Sequence, residues 1–438
     1  MRAAVVGAGP AGLFTAIALA RRGYEVTVVD RDPGPEPDGA WARRGVMQFH
    51  QPHAFRLQVA EALQAEMPEV WDALVAAGAE PASLPNPPYW VVGFASRRAT
   101  FERVLRSAAA AEPGVTLRTG HVEDVCADRD RATGLRVDGG EVAADLVVDA
   151  SGRTGRLAPA ARAPAQVGDC GIAYVSRHYR LLPGAERGPV NAPTGMVVTY
   201  PRYLVYVFLQ DARTFSTLVV RGSRDSALAG LRSPRAFEAA AAAIPCLAAW
   251  TDPGRARPLT GVLPGGGLSN CYRSQLDPDG RVPLAGLVRV GDAVCTTNPM
   301  GGRGVATSLL QARRLVRLLD EHGRDATACA LALDEWCARW IKPWFDDHVH
   351  VDAERARRWS GEDVDPTRRL PADLVTAACE VDPAMMGVVG PYLLMEALPG
   401  SLAAVQPRAR DIYASGWRPP VPPGPTRDQL ADLVAAAG

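Results

Sequence analysis

Residues 287–312 read LVRVGDAVCTTNPMGGRGVATSLLQA, and the order of chemistry within them decides the fold. The apolar run 287–290 predicts a buried strand, and Gly291 and Asp292 follow at its carboxyl end, where open α/β sheets place ligand groups. An acid there accepts a sugar hydroxyl. Pro299, Gly301, Gly302 and Gly304 predict a turn free of β-carbon obstruction, and Val305, Leu309, Ala312 and Val316 carry the spacing of a long amphipathic helix. The bare N-terminus of that helix, with about half a positive charge and free N–H groups, faces whatever Asp292 holds. Such an end suits the anionic N1/C2=O edge of a reduced isoalloxazine ring, so the stretch asks for a flavin.

A second glycine turn stands at the other end of the chain. Residues 2–6 predict a strand, 10–22 a helix rich in small residues, and 25–29 a second strand ending in Asp30, with GAGPAG at 7–12 between the first two. In such a βαβ unit Gly7 serves the tight turn, Gly9 lets a pyrophosphate approach the backbone, and Gly12 lets the helix pack on the strand, with Ala11 in the same first turn. Asp30, followed by Arg31, lies where a ribose-binding acid belongs. An apolar strand over 144–150 closes in Asp149-Ala150-Ser151-Gly152-Arg153, a turn whose backbone can approach a phosphate.

Together these three motifs resemble the glutathione-reductase-like FAD enzymes and, within them, the single-chain flavoprotein monooxygenases that include aromatic hydroxylases and alkene epoxidases. The resemblance runs from residue 1 to about residue 320. It implies an α/β fold in which a Rossmann-like FAD-binding domain is interleaved with a β-sheet substrate domain and followed by C-terminal helices. The boundaries expected are 1–167 and 266–325 for the FAD-binding parts, 168–265 for the substrate domain and 326–438 for the helical region. Asp292 takes the family's ribityl-contacting position. Arg44, in an Arg-Gly-Val lead-in, is placed near the flavin, with Gln48 and His53 behind it. Arg98, in Arg-x-x-Phe-x-x-x-Leu, matches the residue that holds the FAD phosphate or ribityl chain; Val122 sits by the adenine. Asp149, Gly152 and Arg153 match a motif that contacts both FAD and the nicotinamide cofactor.

Composition narrows the function classes. A chain of 438 residues has room for two domains and a tail. Its 48 basic and 48 acidic residues cancel, so nothing favours nucleic acid, and a neutral small molecule is the better partner, the largely apolar substrate being what the resemblance adds. Eight cysteines are scattered without a C-x-x-C pair, which predicts neither a metal site nor a disulfide framework. The sequence opens directly into a strand, with no signal-like segment and no apolar run of about 18 residues, which predicts a cytoplasmic protein with no transmembrane segment.

From residue 168 the pattern changes to alternating β-branched and aromatic residues, predicting strands over 173–181, 195–200, 203–210 and 214–221. Tyr174, Met196, Val198, Tyr206 and Phe208 on their inward face line an apolar pocket over the flavin or form plain core; alternation alone leaves both readings open. Two helices over 225–250, a returning strand over 257–263 and a flexible turn at 264–267 complete this domain. One helix over 327–357, kinked at Pro343, carries Trp336, Trp340 and Trp344 on a single face, and residues 385–395 are placed as a cap on the pocket.

The resemblance implies an FAD monooxygenase: NADH or NADPH reduces the flavin, and a C4a-hydroperoxyflavin inserts one oxygen of O2 into a natural-product intermediate by epoxidation or hydroxylation. The protein's part is orientation and exclusion of water, and no catalytic acid, base or nucleophile is assigned. Aromatic hydroxylases continue Gly-Asp with Ala-Ala-His, whereas Cys295 stands in the histidine position here, and residues 298–304 are more similar to alkene epoxidases. Flavin-dependent halogenases carry an active-site lysine and a W-x-W-x-I-P segment; the segment is absent, and the sole lysine, Lys342, lies beyond the shared region. A flavin dehydrogenase or double-bond reductase on the same cradle is the alternative, a non-enzymatic flavin-binding scaffold a third reading. A separate flavin reductase is the alternative electron source.

Overall fold

The computed structural model describes residues 1–84, 91–153, 157–158 and 162–438. Five parallel strands form its central sheet, in the order Leu287–Arg289, Leu146–Asp149, Arg2–Val6, Glu25–Asp30, Val115–Thr119. Period-two alternation sends their side chains into two separate cores. Ala3, Val5, Leu146 and Val148 pack under the helices Pro10–Ala20, Arg98–Ala111 and Gly304–Glu321, while Ala4, Val6, Val29 and Val147 meet a three-stranded antiparallel meander built from Val122–Asp128, Arg131–Val137 and Gly140–Ala143. Both faces are covered, so the strands read as continuous apolar runs. The three glycine-bearing turns leave the same carboxyl edge of this sheet.

The second sheet is antiparallel, ordered Gly195–Tyr200, Tyr203–Leu209, Thr214–Gly222, Ile172–Leu181, Ala256–Pro258, with Leu263–Gly265 also paired to Ile172–Leu181. Its back face presents Val175, Tyr179, Met196, Val205, Val207, Phe215 and Val219 to the helices Pro234–Ala243, Pro245–Thr251 and Arg427–Ala437. The expected single strand over 257–263 is thus two short ones. Pro258 and Pro264 each remove a ladder donor, and Gly261 stands between the two pieces.

Downstream, the expected kinked helix is also two, Ala326–Trp340 and Lys342–Trp359. Pro343 occupies the first turn of the second helix, where its missing N–H is tolerated, and the chain breaks at Ile341 instead of bending. The tryptophan stripe is divided accordingly: Trp336 packs on the FAD-side core, Trp340 is exposed, and Trp344 joins a separate core with Leu374, Val375, Met385, Val389 and Tyr392. The chain's last helix leaves this third core and packs behind the substrate sheet, where Tyr200 and Tyr203 donate to the carbonyls of Pro423 and Pro425. No helix among the described residues is long and apolar enough to cross a membrane.

Candidate flavin site and substrate face

The first turn is built so closely that its glycines are obligatory. A β-carbon on Gly12 would lie 1.9 Å from the Gly7 carbonyl oxygen, and one on Gly7, whose φ is +100°, would lie 2.5 Å from the Ala150 carbonyl oxygen. The space beside Gly9 holds no protein atom within 4 Å, and Gly9 caps the helix Pro10–Ala20 without a side-chain bond. A free helix end beside an open glycine is the cradle a pyrophosphate needs. Ala11 touches the second motif, since a β-carbon on Gly291 would stand 3.1 Å from its methyl.

Asp30 lies at the end of the second strand, accepting hydrogen bonds from Ala8 N (2.6 Å), Asp32 N (2.8 Å) and Arg43 Nη2 (3.2 Å). The arginine lead-in divides into one open and one buried side chain. Arg44 is exposed, with no bonded partner among the described residues, whereas Arg43 is buried and bonds both Asp30 and Glu102. Glu102, itself fully buried, also takes Arg98 Nε, four residues earlier on the same helix face. Arg31 lies over Gly45. Val122 opens the meander against the Val6 and Val137 core.

Two acids end adjacent strands and differ in kind. Asp149 is fully buried; its Oδ1 accepts from Ser151 N (3.0 Å) and Ser151 Oγ (2.6 Å), and Oδ2 faces Arg289 at 3.9 Å. It shapes the turn from behind, while Gly152, with φ +86° and open space beside it, presents the backbone outward. The Asp292 carboxylate receives no donor from any described side chain or backbone N–H, and burial pushes its pKa up against the opposing pull of the Arg98, Arg153 and Arg273 guanidinia. An acceptor short of donors at a strand end fits a polyol chain such as the ribityl of FAD.

Pro299–Gly301 forms a short turn capped by Asn298, whose Oδ1 accepts from Met300 N at 3.0 Å, and Gly302 is left-handed at φ +59°. Arg56 donates to the carbonyls of Gly301 (2.6 Å) and Gly302 (3.2 Å), fixing the loop. The helix Gly304–Glu321 then begins with no side-chain cap, leaving its first N–H groups to an outside acceptor.

What the sequence did not reveal is how this loop is held from below. Asp352, on the helix Lys342–Trp359, accepts from Asn298 Nδ2 (2.7 Å), Asn270 Nδ2 (2.7 Å) and Arg355, while Asn270 Oδ1 accepts from Asn298 N (2.6 Å). Arg303 lies over the rings of Trp344 (4.5 Å) and Tyr392 (5.0 Å), which stack on each other at 5.6 Å, and its Nη1 meets His348 Nε2 at 3.2 Å. Burial, with the Arg303 charge beside it, holds His348 neutral. The only hint was the i, i+3 pair Asp352 and Arg355, which reads as surface chemistry in isolation.

The front face of the antiparallel sheet turns toward this loop. Tyr174, Leu204, Leu218 and Val220 form an apolar cluster with Tyr206, Phe208 and the loop's own Met300, and the Tyr206 and Phe208 rings stack at 5.5 Å. Met196 is not part of it; one residue out of phase, it faces the opposite core, as does Val198. Polar groups interrupt the same front face. Ser176 Oγ donates to Gln51 Oε1 (2.6 Å), and His178 reaches the His50 carbonyl (2.8 Å) and the Gln210 side-chain amide (3.0 Å). Burial keeps His178 neutral, so its Nε2–H donates to His50 and the Gln210 amide is best turned to donate to Nδ1. Gln51, and not Gln48, is the side chain that ties the lead-in segment to this sheet.

His53 is fixed just as firmly. Its Nδ1–H donates to the Gln51 carbonyl (2.9 Å), and its Nε2 accepts from Arg98 Nη1 (2.9 Å). Burial and the Arg98 charge lower its pKa to about 3. Cys295, in the position of the aromatic hydroxylases' histidine, is buried, and burial pushes its thiol up.

Residues 2–108 match the family model described as FAD dependent oxidoreductase. The match takes in the first βαβ unit with its glycine turn and ends before the turns at Asp149 and Gly291. The curated relatives share a short segment only: the NAD-dependent dihydropyrimidine dehydrogenase subunit PreT of Escherichia coli is 40% identical over 53 residues, 12% of this chain and 12% of that protein. A D-amino acid dehydrogenase of Sinorhizobium medicae is 45% identical over 49 residues, 11% of this chain and 12% of that one. Solved structures extend the likeness to the whole fold. A flavin-dependent brominase superimposes with a TM-score of 0.66 at 17% identity, over 95% of this chain and 100% of that one. The oxygenase of 2-methyl-3-hydroxypyridine-5-carboxylic acid gives 0.61 at 15% identity, over 82% of this chain and 93% of that one. The myxobacterial chondrochloren halogenase gives 0.61 at 18%, over 98% of both.

Proposed function

We propose that the protein is an NADH- or NADPH-dependent FAD monooxygenase that epoxidises or hydroxylates a largely apolar substrate. When bound, FAD supplies the redox chemistry, taking electrons from the nicotinamide and delivering one atom of dioxygen as an electrophile. The chain's own residues do the rest. Asp292 accepts the ribityl hydroxyls, the open end of the helix Gly304–Glu321 faces the pyrimidine edge of the ring, and Gly7, Gly9, Gly12 and Asp30 take the pyrophosphate and ribose. Tyr174, Tyr206, Phe208 and Met300 exclude water and orient the substrate.

The observation that carries this reading is the state of the site's candidate bases. His53 has both ring nitrogens engaged and stays neutral to about pH 3, and His178 is held by the His50 carbonyl and Gln210. Dehydrogenation that starts by taking a proton from carbon needs a free base near its working pH. Attack of an electron-rich substrate on electrophilic oxygen does not.

The test is rapid mixing of the reduced, substrate-bound protein with oxygenated buffer, followed by absorbance. A transient species before the oxidised flavin spectrum is the expected result; reoxidation in one step would move the assignment to the dehydrogenase or double-bond reductase. A halogenase is the second reading, favoured by one fact: the brominase and the chondrochloren halogenase align over 95% and 98% of the chain, including its C-terminal helices, against 82% for the oxygenase. Lys342 speaks against it, since its Nζ is bound by both oxygens of Asp346 at 2.8 Å on the surface of the first helical turn. Product that depends on added bromide or chloride would establish the second reading.

A further inference from the structure

Away from the flavin cradle, the outer end of the substrate sheet carries a groove of about 600 Å³ lined by Arg180, Leu181, Leu182, Pro183, Arg213 and Arg257. Three features of its construction point to an anion. Arg180 and Arg257 are direct partners across two antiparallel strands, a placement in which like charges repel. Among the described residues no carboxylate pairs with either of them or with Arg213, and Arg180 Nε is buried without a partner. Asp211, the acid closest in sequence, is turned inward to Arg97, accepting from its Nε (2.5 Å) and its backbone N–H (2.9 Å).

The third feature is the turn that delivers Arg213. Thr214 N donates to Asp211 O at 3.0 Å, and the two residues between them, Ala212 and Arg213, are both left-handed, at φ +53° and +57°. Hairpin turns of this hand strongly select Asn-Gly or Gly-Gly, because a β-carbon is strained there. Here the strained position holds an arginine, whose Nη2 is steadied by the carbonyls of Ala185 (2.7 Å) and Leu182 (3.2 Å) so that its remaining donors stay in the groove. A strained turn position that holds a charged side chain against a groove is a candidate for function.

We propose that this groove binds an anionic amphiphile: a carboxylate or phosphate held by Arg180, Arg213 and Arg257, with its apolar body on Leu181, Leu182 and Pro183. Arginine is the side chain suited to both anions, through paired N–H donors. The groove also continues the substrate face. Tyr174, Ser176, His178 and Arg180 alternate on one side of one strand, so the anion would sit on the order of 20 Å along the sheet from Tyr174, at about 3.3 Å per residue. The binding claim does not need the oxygenation chemistry and is measured without turnover.

The experiment is calorimetric titration of the FAD-loaded protein with octyl phosphate, octanoate, octanol and inorganic phosphate. The two octyl anions are expected to bind and octanol to bind far more weakly, and whichever anion binds more tightly identifies the natural end group. The double variant Arg180→Gln/Arg257→Gln should weaken binding about tenfold or more while keeping its flavin content. Arg213→Gly gives a second signature, because glycine suits the left-handed turn and keeps its geometry while anion affinity falls. Should the double variant not fold, Arg257→Gln alone, at an exposed position, carries the same test. Octanol binding as tightly as the anions, unchanged affinity in the folded variants, absence of binding, or inorganic phosphate binding as tightly as octyl phosphate would each overturn the proposal.

Discussion

The flavin cradle and the seam beneath it are built on opposite principles. In the cradle, each functional turn is a run of neighbours, Gly7 to Gly12, Asp149 to Gly152, Gly291 to Gly304, and parallel pairing of the strands brings the runs to one edge. In the seam, single side chains from distant parts of the chain meet: Gln51 with Ser176, Arg56 with the carbonyl of Leu393, Asn298 with Asp352. The cradle is specified by backbone geometry, which motifs record. The seam is specified by burial, because each of its polar groups would be costly inside the protein without its partner. The difference implies that damage to the cradle should cost ligand and damage to the seam should cost structure.

The largest effect is expected in the seam. Asp352→Ala leaves Arg355, Asn270 and Asn298 without their shared acceptor, and removing one partner of a buried ion pair destabilises by about 3–5 kcal/mol. Chemical denaturation should report that loss, with flavin released as the glycine loop at 298–304 loosens. Asp352→Asn should keep part of the stability, since an amide oxygen can still accept from one asparagine. Unchanged flavin content together with unchanged unfolding midpoints would mean that the C-terminal helices do not hold the loop.

Asp292→Ala is the converse experiment. On the proposed role of Asp292 as acceptor of the ribityl hydroxyls, its loss should weaken FAD binding by about 1.5–3 kcal/mol, roughly tenfold to a hundredfold, read from the flavin-to-protein absorbance ratio after dialysis. The stability of the apo-protein should hold or rise, because burial already disfavours the ionised acid. Unchanged flavin occupancy would show that the ribityl chain runs elsewhere.

The same contrast explains what was legible in the sequence. The βαβ unit, the placement of Asp292 and the alternating strands were readable because glycine spacing and apolar periodicity are local. The burial of Arg43 was not: it follows from pairing with Glu102, far along the chain on another helix. Met196 was assigned to the front face because alternation gives two faces without saying which one meets the flavin, and the helix Arg427–Ala437, which covers its side, lies at the far end of the chain. The break at Ile341 needed only a better reading of Pro343 as a helix start.

A smaller effect belongs to the histidines of the seam. Burial and Arg98 depress His53 from 6.5 to about 3, and burial lowers His178 and His348. Above pH 6.5 neither folded nor unfolded chain carries the His53 proton, so its contribution is fully present; as pH falls toward 3 the unfolded chain takes up a proton the folded one refuses, and stability is lost. His53 is only partly buried by surface area, so the slope should be at most about 1 kcal/mol per pH unit. Melting temperatures across that window should therefore fall less steeply for His53→Gln than for the parent, and parallel curves would remove His53 from the buried network.

The smallest effect is expected outside both regions, at Lys342. Its ammonium pairs with Asp346 four residues on, at a partly exposed helix start, and exposed pairs of this kind contribute at most about 0.5 kcal/mol. Lys342→Ala should therefore keep its flavin, its melting temperature and its rate of flavin reoxidation. The variant is informative because it is the sole lysine in the chain, so chemistry that requires a lysine beside the flavin has no second candidate. A folded, flavin-loaded Lys342→Ala protein with no turnover would place that side chain in the reaction and favour halogenation; retained turnover leaves the cradle and the aromatic face above it as the whole of the reacting site.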